Sequence, residues 1–236
     1  MNESLLFLLP AYDEEQAVPS VLRDIKESFP SARVLLVDDG SKDGTSPTAR
    51  AAARELGLSL ILLRHSGNLG LGKALSTGIN YAAENISEKY LVIFDADATH
   101  PARLVHEMIE KAGRGADLVI ASRYTRGGAQ INLSRGRAGA SRIFSLFFHI
   151  FFPSVTDFSS GFRLYRLDFL RKNLFPADLD SGFVCSFELL LLCLRKGAKI
   201  DEVPLFLDYG LKKSRSKFSF FKTLVSYLMI FRKFLP

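Results

Sequence analysis

Through residue 122 the chain repeats one pattern. A short run of apolar positions ends in a polar cluster, and a longer stretch with apolar positions every three or four residues follows. The apolar runs lie in SLLFLLP, ARVLLVDD, LSLILLR, KYLVIFDAD and ADLVIASR. The helical spacing covers Glu14–Ser28, Thr45–Leu56, Gly72–Glu84 and Ala102–Ala112. Strands that are apolar at every position need cover on both faces, and the intervening helices supply it. The pattern therefore predicts an α/β fold, a mostly parallel sheet flanked by helices. Sites in such sheets lie beyond the carboxyl ends of the strands. Polar residues gather there: Tyr12, Asp13 and Glu14 after the first run, Asp38 and Asp39 after the second, Asp95 and Asp97 after the fourth, Arg123 after the fifth.

The rest of the chain is less regular. RGGAQINLSRGR reads as a loop, with a helix expected over Ala138–Phe152. SSGFRLYR reads as a strand, and FVCSFELLLLCLRKG as a buried helix stopped at Gly197. AKIDEVPLFLDY reads as an edge strand, because its proline cannot donate to a ladder. A basic loop and a last amphipathic helix complete the chain. No repeat, low-complexity segment or linker divides it, so one domain is expected.

Charge sharpens this picture. The formal net charge is +6, and its distribution says more than its sum. Leu118–Thr156 contains no Asp or Glu but holds Arg123, Arg126, Arg135, Arg137 and Arg142. After Asp208 there is again no carboxylate side chain, while seven lysines and arginines follow. Such segments suit an anionic partner. The arginines sit among glycines and phenylalanines rather than on a recognition helix, so nucleic acid is not expected. Seventeen of the 20 phenylalanines come after residue 140, beside these basic segments. IFSLFFHIFFP is too short to span a bilayer, which takes roughly 20 apolar residues. The combination predicts a surface lying in the membrane interface. No leader pattern opens the chain, and Cys185 and Cys193 read as buried, reduced thiols, so a peripheral position on the cytoplasmic face of a membrane is expected.

Two short stretches carry candidate chemistry. In VIFDADATHP, Asp95 and Asp97 lie two residues apart at a strand end and suit a hard cation such as Mg²⁺ or Mn²⁺. The competing reading makes Asp97 a cap for the next helix. In DDGSKDGT, Gly40 permits a tight turn that holds Asp38 and Asp39 able to accept from a base or ribose. GNLGLGKA lacks the spacing and position of a dinucleotide fingerprint and reads as a loop leading into a helix. No G-x-S-x-G occurs. His65, His100, His106 and His149 show no ligand spacing and read as structural, with His100 notable for its place beside the aspartates.

The stretches LLPAYDEE, VLLVDDGSKDGT, GNLGLGKALSTGI, FDADATHP, ASRY, SSGFRLYR and SKF follow in order. In this set the chain resembles a GT-A fold, family 2 glycosyltransferase, and within that group is similar to the dolichol- and polyprenyl-phosphate sugar synthases. The resemblance runs from Leu5 to Lys217. It implies a Rossmann-like GT-A domain over residues 1–236. Residues 1–122 would form the nucleotide-sugar half, 123–217 the acceptor half, and 218–236 an amphipathic membrane-interface helix.

By that resemblance Pro10, Tyr12, Glu14, Val37, Asp39, Asp95, Ala96, Asp97, Arg123 and Lys217 meet the nucleotide sugar. Arg137, Arg142 and Lys217 meet the acceptor phosphate. Asp95, Asp97 and Thr99 bind the metal, Mg²⁺ or Mn²⁺, and Asp97, Arg123 and Arg137 serve catalysis. Thr99 stands where relatives often carry glutamine, and DYGLKKSRSKF departs from the arginines usual after the edge strand. Asp157, ahead of FSSGFR, reads either as an orienter of arginines or as a turn carboxylate.

The implied reaction moves a hexose, mannose from GDP-mannose above all, to a polyprenyl or dolichyl phosphate with inversion. UDP-glucose or another donor, and a polysaccharide acceptor, stand as alternatives. A separate membrane-anchoring partner is compatible with a chain that itself shows only interfacial segments.

Overall fold

A computed structural model of the chain describes residues 4–133, 135–179, 184–208, 210, 227, 230 and 232, with the backbone alone at 135, 137 and 140. In chain order the elements are β1 (Leu5–Ala11), α1 (Val18–Ser28), β2 (Arg33–Asp38), α2 (Thr45–Leu56), β3 (Ser59–Arg64), α3 (Leu71–Asn85) and β4 (Tyr90–Ile93). A 3₁₀ turn (Ala102–Leu104) leads into α4 (Val105–Gly113). Then come β5 (Leu118–Ser122), β6 (Ala129–Ile131), α5 (Arg135–His149), β7 (Arg163–Arg166), α6 (Leu167–Leu174), α7 (Cys185–Arg195), β8 (Ile200–Pro204) and β9 (Phe206–Asp208).

Seven strands form one sheet in the order β3-β2-β1-β4-β7-β5-β8. Only β7 runs antiparallel to its neighbours β4 and β5; every other pair is parallel. The strands other than β7 therefore direct their carboxyl ends to one edge, as the apolar runs predicted. Alternation within β1 shows how both faces are filled. Leu5, Phe7 and Leu9 belong to a core layer with α1, α2 and α4, whereas Leu6 and Leu8 belong to a layer with α3, α5, α6 and α7. Both layers exclude water from whole strands, the main stabilising term available to such a fold. On α3, a Cβ at Gly78 would collide with the Leu8 side chain, so helix and strand approach closely there and a larger residue would push Leu8 aside.

The second half departs from the expected elements in four places. α5 begins at Arg135, three residues before the expected start, and the stretch read as a loop contains β6. AKIDEVPLFLDY is two strands rather than one. β8 is the edge strand of the main sheet and stops at Pro204, and β9 then pairs in parallel with β6 as a separate two-stranded sheet. α6 follows β7 without a turn residue between them and was not anticipated. Helix α1 starts at Val18 rather than Glu14, because the Glu14 carbonyl closes a turn by accepting from the Ala17 and Val18 amides.

The expected interfacial helix over 218–236 lies outside the described residues apart from Tyr227, Ile230 and Arg232. Ile230 is buried in the core, and the Tyr227 ring lies 4.1 Å from that of Phe144 and 5.1 Å from that of Phe187. Among the described residues no helix is long and apolar enough to cross a membrane.

Candidate functional site

At the end of β2 the two aspartates have different tasks. Asp38 is fully buried and accepts from the Ser41 amide at 2.8 Å and from the Ser46 hydroxyl, with Arg64 Nε 3.5 Å away. Burial opposes its ionisation, but the Ser41 and Ser46 hydrogen bonds outweigh it and hold the carboxyl below its usual range. Asp38 is thus committed to its own turn.

Asp39 reaches sideways. Its Oδ1 meets His65 Nδ1 at 2.7 Å and the Leu69 amide at 2.9 Å, and its Oδ2 accepts from the Gly70 amide at 2.8 Å. The other ring nitrogen of His65 meets Thr77 Oγ1 at 3.0 Å. Asp39 therefore fixes the loop between β3 and α3. Gly40 allows that loop to approach: its φ is +71°, and a Cβ there would collide with the Gly67 backbone.

The first polar cluster is laced to the same turn. Asp13 N donates to Ser41 Oγ at 3.0 Å, Lys42 N to Asp13 Oδ1 at 2.8 Å, and Glu14 N to Thr45 Oγ1 at 2.9 Å. Asp13 itself has φ +55°. Tyr12 and Glu14 are half-buried, as is Pro10. Val37 and Ala96 are buried in the core layers, so their contribution to any ligand is through backbone and packing.

β4 ends at Ile93, so Asp95 and Asp97 lie in the turn beyond the strand rather than on it. Asp97 caps no helix. Its Oδ1 accepts from the Thr99 amide at 3.1 Å and from the Thr99 hydroxyl at 2.6 Å, across Ala98 at φ +65°. Asp97 and Thr99 are buried, whereas the Asp95 side chain keeps 43% of its surface exposed. The Asp95 amide donates to His100 Nδ1 at 3.3 Å, which leaves the ring proton on Nε2, 3.5 Å from Asp95 Oδ2. His100 stacks on Phe162 at 4.7 Å and meets Phe94 edge-on, so its structural reading holds with a polar task added.

A Cβ at Gly161 would lie 3.8 Å from Asp95 Oδ1 and 3.7 Å from Ser186 Oγ, which places the approach to β7 between Asp95 and the first turn of α7. Among the described residues no three His, Cys, Asp or Glu side chains cluster tightly enough to hold a metal alone. Two hard oxygen donors do fit Mg²⁺ or Mn²⁺ of the kind that keeps water and phosphate oxygens in its shell.

Arg123 follows β5 and is the most restrained side chain of the edge. Its Nε donates to Asp157 Oδ2 and one terminal nitrogen to Asp157 Oδ1, both at 2.8 Å. Its backbone amide also donates to Asp157 at 3.1 Å, and further contacts reach Ser159 Oγ at 2.6 Å and Gln130 Oε1 at 3.3 Å. Asp157 is fully buried. Burial alone would raise its carboxyl; the Arg123 charge and the hydrogen bonds from Arg123 and Ser159 overcome that and hold it below the usual range. Both readings of Asp157 are found together: it orients Arg123 and also accepts the Ser159 and Ser160 amides at 3.1 Å, as a turn carboxylate does.

Glu202 on β8 was not anticipated. It accepts from the Thr156 amide at 2.7 Å, the Thr156 hydroxyl at 2.5 Å and the Asp157 amide at 3.2 Å, and burial pushes its carboxyl up. A glutamate two residues before the proline of an edge strand was the available signal. Arg142 is exposed on α5. The Arg137 side chain, Lys217, and Lys212, Lys213 and Arg215 lie outside the described residues.

Comparison with known proteins places this geometry. Residues 7–174 match the family model for Glycosyl transferase family 2. The chain is 33% identical over 213 residues to undecaprenyl-phosphate mannosyltransferase of Micrococcus luteus, covering 89% of this chain and 86% of that protein. It is 28% identical over 209 residues to polyprenol monophosphomannose synthase of Mycolicibacterium smegmatis, covering 86% of this chain and 77% of that protein. Among solved structures, glucosyl-3-phosphoglycerate synthase from Mycobacterium tuberculosis, in complex with Mn²⁺, UDP and phosphoglyceric acid, shares the fold with a TM-score of 0.66 and 19% identity over 94% of this chain and 74% of that one. The same synthase with Mn²⁺, UDP-glucose and phosphoglyceric acid gives 0.66 and 21% over 95% and 76%. With its mostly parallel sheet and its polar carboxyl edge, the chain belongs to glycosyl transferase family 2 and is a glycosyltransferase.

Proposed function

We propose that the chain transfers a hexose, mannose from GDP-mannose, to a polyprenyl phosphate with inversion at the anomeric carbon. The observation that carries this reading is the pairing, on one sheet edge, of an acidic turn suited to a cation with an arginine held rigid by a buried carboxylate. Near-full-length likeness to proteins named for mannosyl transfer to lipid phosphates supports the choice of acceptor.

The acceptor needs no strong general base, since a phosphate monoester has a second pKa of about 6 and is largely dianionic at neutral pH. The demand falls on alignment and on the leaving diphosphate. Mg²⁺ or Mn²⁺ held by Asp95 and Asp97, with Thr99 beside them, would supply charge neutralisation there. Thr99 aligns Asp97 through its hydroxyl. Tyr12, Glu14 and the loop fixed by Asp39 form the nucleoside end, while Pro10, Val37 and Ala96 shape its floor. Arg123, with Arg137, Arg142 and Lys217, counters the repulsion between two polyanions brought together.

The lipid tail calls for a membrane-facing surface, and α5 offers one. Its inner side packs Phe144 and Phe148 against Phe187. On its outer side and just beyond its end, Ile143, Leu146, Phe147, Ile150 and Phe151 recur at helical spacing and stay exposed, Ile143 at 70% and Ile150 at 72%. With Arg142 on the same helix, this stripe suits an anionic leaflet, and the enzyme would sit peripherally on the cytoplasmic face. A thermal-shift screen of nucleotide sugars with Mn²⁺ tests the donor: GDP-mannose raises the melting temperature most. A shift by UDP-glucose alone would replace mannose in this reading.

A further inference from the structure

Glu202 has no place in the reaction as described, yet it ends a directed chain of hydrogen bonds that surrounds Arg123. An ionised carboxylate only accepts. The Thr156 hydroxyl must therefore give its proton to Glu202 Oε2, 2.5 Å away. Thr156 Oγ1 is then left to accept from Ser122 Oγ at 2.7 Å. Ser122 Oγ, having donated, accepts the Tyr124 amide at 3.2 Å and the Thr125 amide at 3.1 Å. Every hydroxyl proton on this route has one consistent assignment, and the route closes on both residues that follow Arg123.

The other oxygen of Glu202 accepts from the Thr156 and Asp157 amides at 2.7 and 3.2 Å, fixing the turn whose carboxylate grips the Arg123 guanidinium. Glu202 thus governs the backbone beyond Arg123 by one route and its side-chain anchor by the other. We infer that Glu202 is the positioning residue for Arg123, anchoring the Thr156 hydroxyl that receives Ser122 and fixing the place of Asp157. This rests on the reading of Arg123 as a residue of the transfer site.

The distinction from a merely structural carboxylate is directional. A glutamine at 202 has nearly the same shape, but its amide would donate to Thr156 Oγ1. Thr156 Oγ1 has two lone pairs and would accept from both the glutamine amide and Ser122 Oγ, so the Thr156 hydroxyl proton would be the one left without its acceptor. The link between positions 202 and 156 would reverse without any loss of packing volume.

The test is a double-mutant cycle in the full-length enzyme, with transfer from the nucleotide sugar to a polyprenyl phosphate as readout. Glu202→Gln, Thr156→Val and Arg123→Lys are made singly, and each of the first two is combined with Arg123→Lys. Glu202→Gln and Thr156→Val each lower kcat roughly 10- to 100-fold, the scale expected of a displaced catalytic group, with donor KM changed less. Thr156→Ser restores the rate. Because the defects act through Arg123, adding either to Arg123→Lys lowers the rate little further. Fully additive losses, or wild-type kinetics in Glu202→Gln and Thr156→Val, overturn the inference about Glu202 while leaving Arg123 in the site. Wild-type transfer by Arg123→Lys instead overturns the reading of Arg123 on which it rests. If Glu202→Gln fails to fold, the Thr156 variants decide the question by the same criteria.

Discussion

Arg123 and Asp157, 34 residues apart in the chain, meet in the fold through two side-chain hydrogen bonds of 2.8 Å, with Asp157 wholly removed from solvent. A buried charge pair of this kind adds little net stability over an apolar replacement, but removing one partner strands the other. Asp157→Asn therefore destabilises the protein by about 3–5 kcal/mol and abolishes transfer. Urea denaturation measures the first effect; a loss below about 1 kcal/mol, the median for a surface pair, would contradict the burial and geometry described.

Acid stability follows from the same carboxylates. Asp38 and Asp157 both have folded-state values lowered from the ordinary 3.8. A depressed carboxyl contributes stability that is complete above its unfolded value and is lost as pH falls through the folded one. The unfolding free energy should therefore drop below pH 3.8. In Asp38→Asn that contribution is missing at every pH, so the protein is weaker at pH 7 and its acid decline is shallower. Parallel acid slopes in the two proteins would count against the Asp38 assignment.

The thiols give an independent check on the α7 layer. Burial pushes Cys185 and Cys193 up to about 12, so almost no thiolate exists at pH 8. Native protein should resist iodoacetamide for hours at that pH and take up two equivalents once unfolded in urea. Rapid native labelling would show α7 to be less covered than described.

The outer stripe of α5 makes the membrane proposal testable without touching the sheet edge. Ile143→Glu combined with Ile150→Glu places two charges on exposed positions. Binding to anionic liposomes in a flotation assay should fall at least tenfold, with the melting temperature within a few degrees of wild type. Unchanged flotation would remove α5 from the membrane contact.

How far the sequence already displayed this arrangement depended on range. The strands of the first half were legible because β1, β2, β4 and β5 are apolar at nearly every position, and their polar ends named the site edge. Local turns were partly legible. Asp38 and Asp39 look alike in DDGS, and only the fold shows one held in its own turn and the other reaching Gly70. What stayed hidden is long-range or short in extent. The Asp157–Arg123 grip crosses 34 residues, Glu202 reaches Thr156 across 46, and β6 and β9 have three residues each, too few for any periodicity to register.

The central claim is that Asp97 belongs to the machinery of sugar transfer to a lipid phosphate. The direct measurement is movement of labelled mannose from GDP-mannose into butanol-extractable polyprenyl phosphate with Mn²⁺ present, comparing wild type with Asp97→Ala at matched folding. The account predicts robust transfer by the wild type and a loss of at least 100-fold in the variant, the scale expected when charge stabilisation of a leaving group is removed. Transfer by Asp97→Ala near the wild-type rate would contradict it.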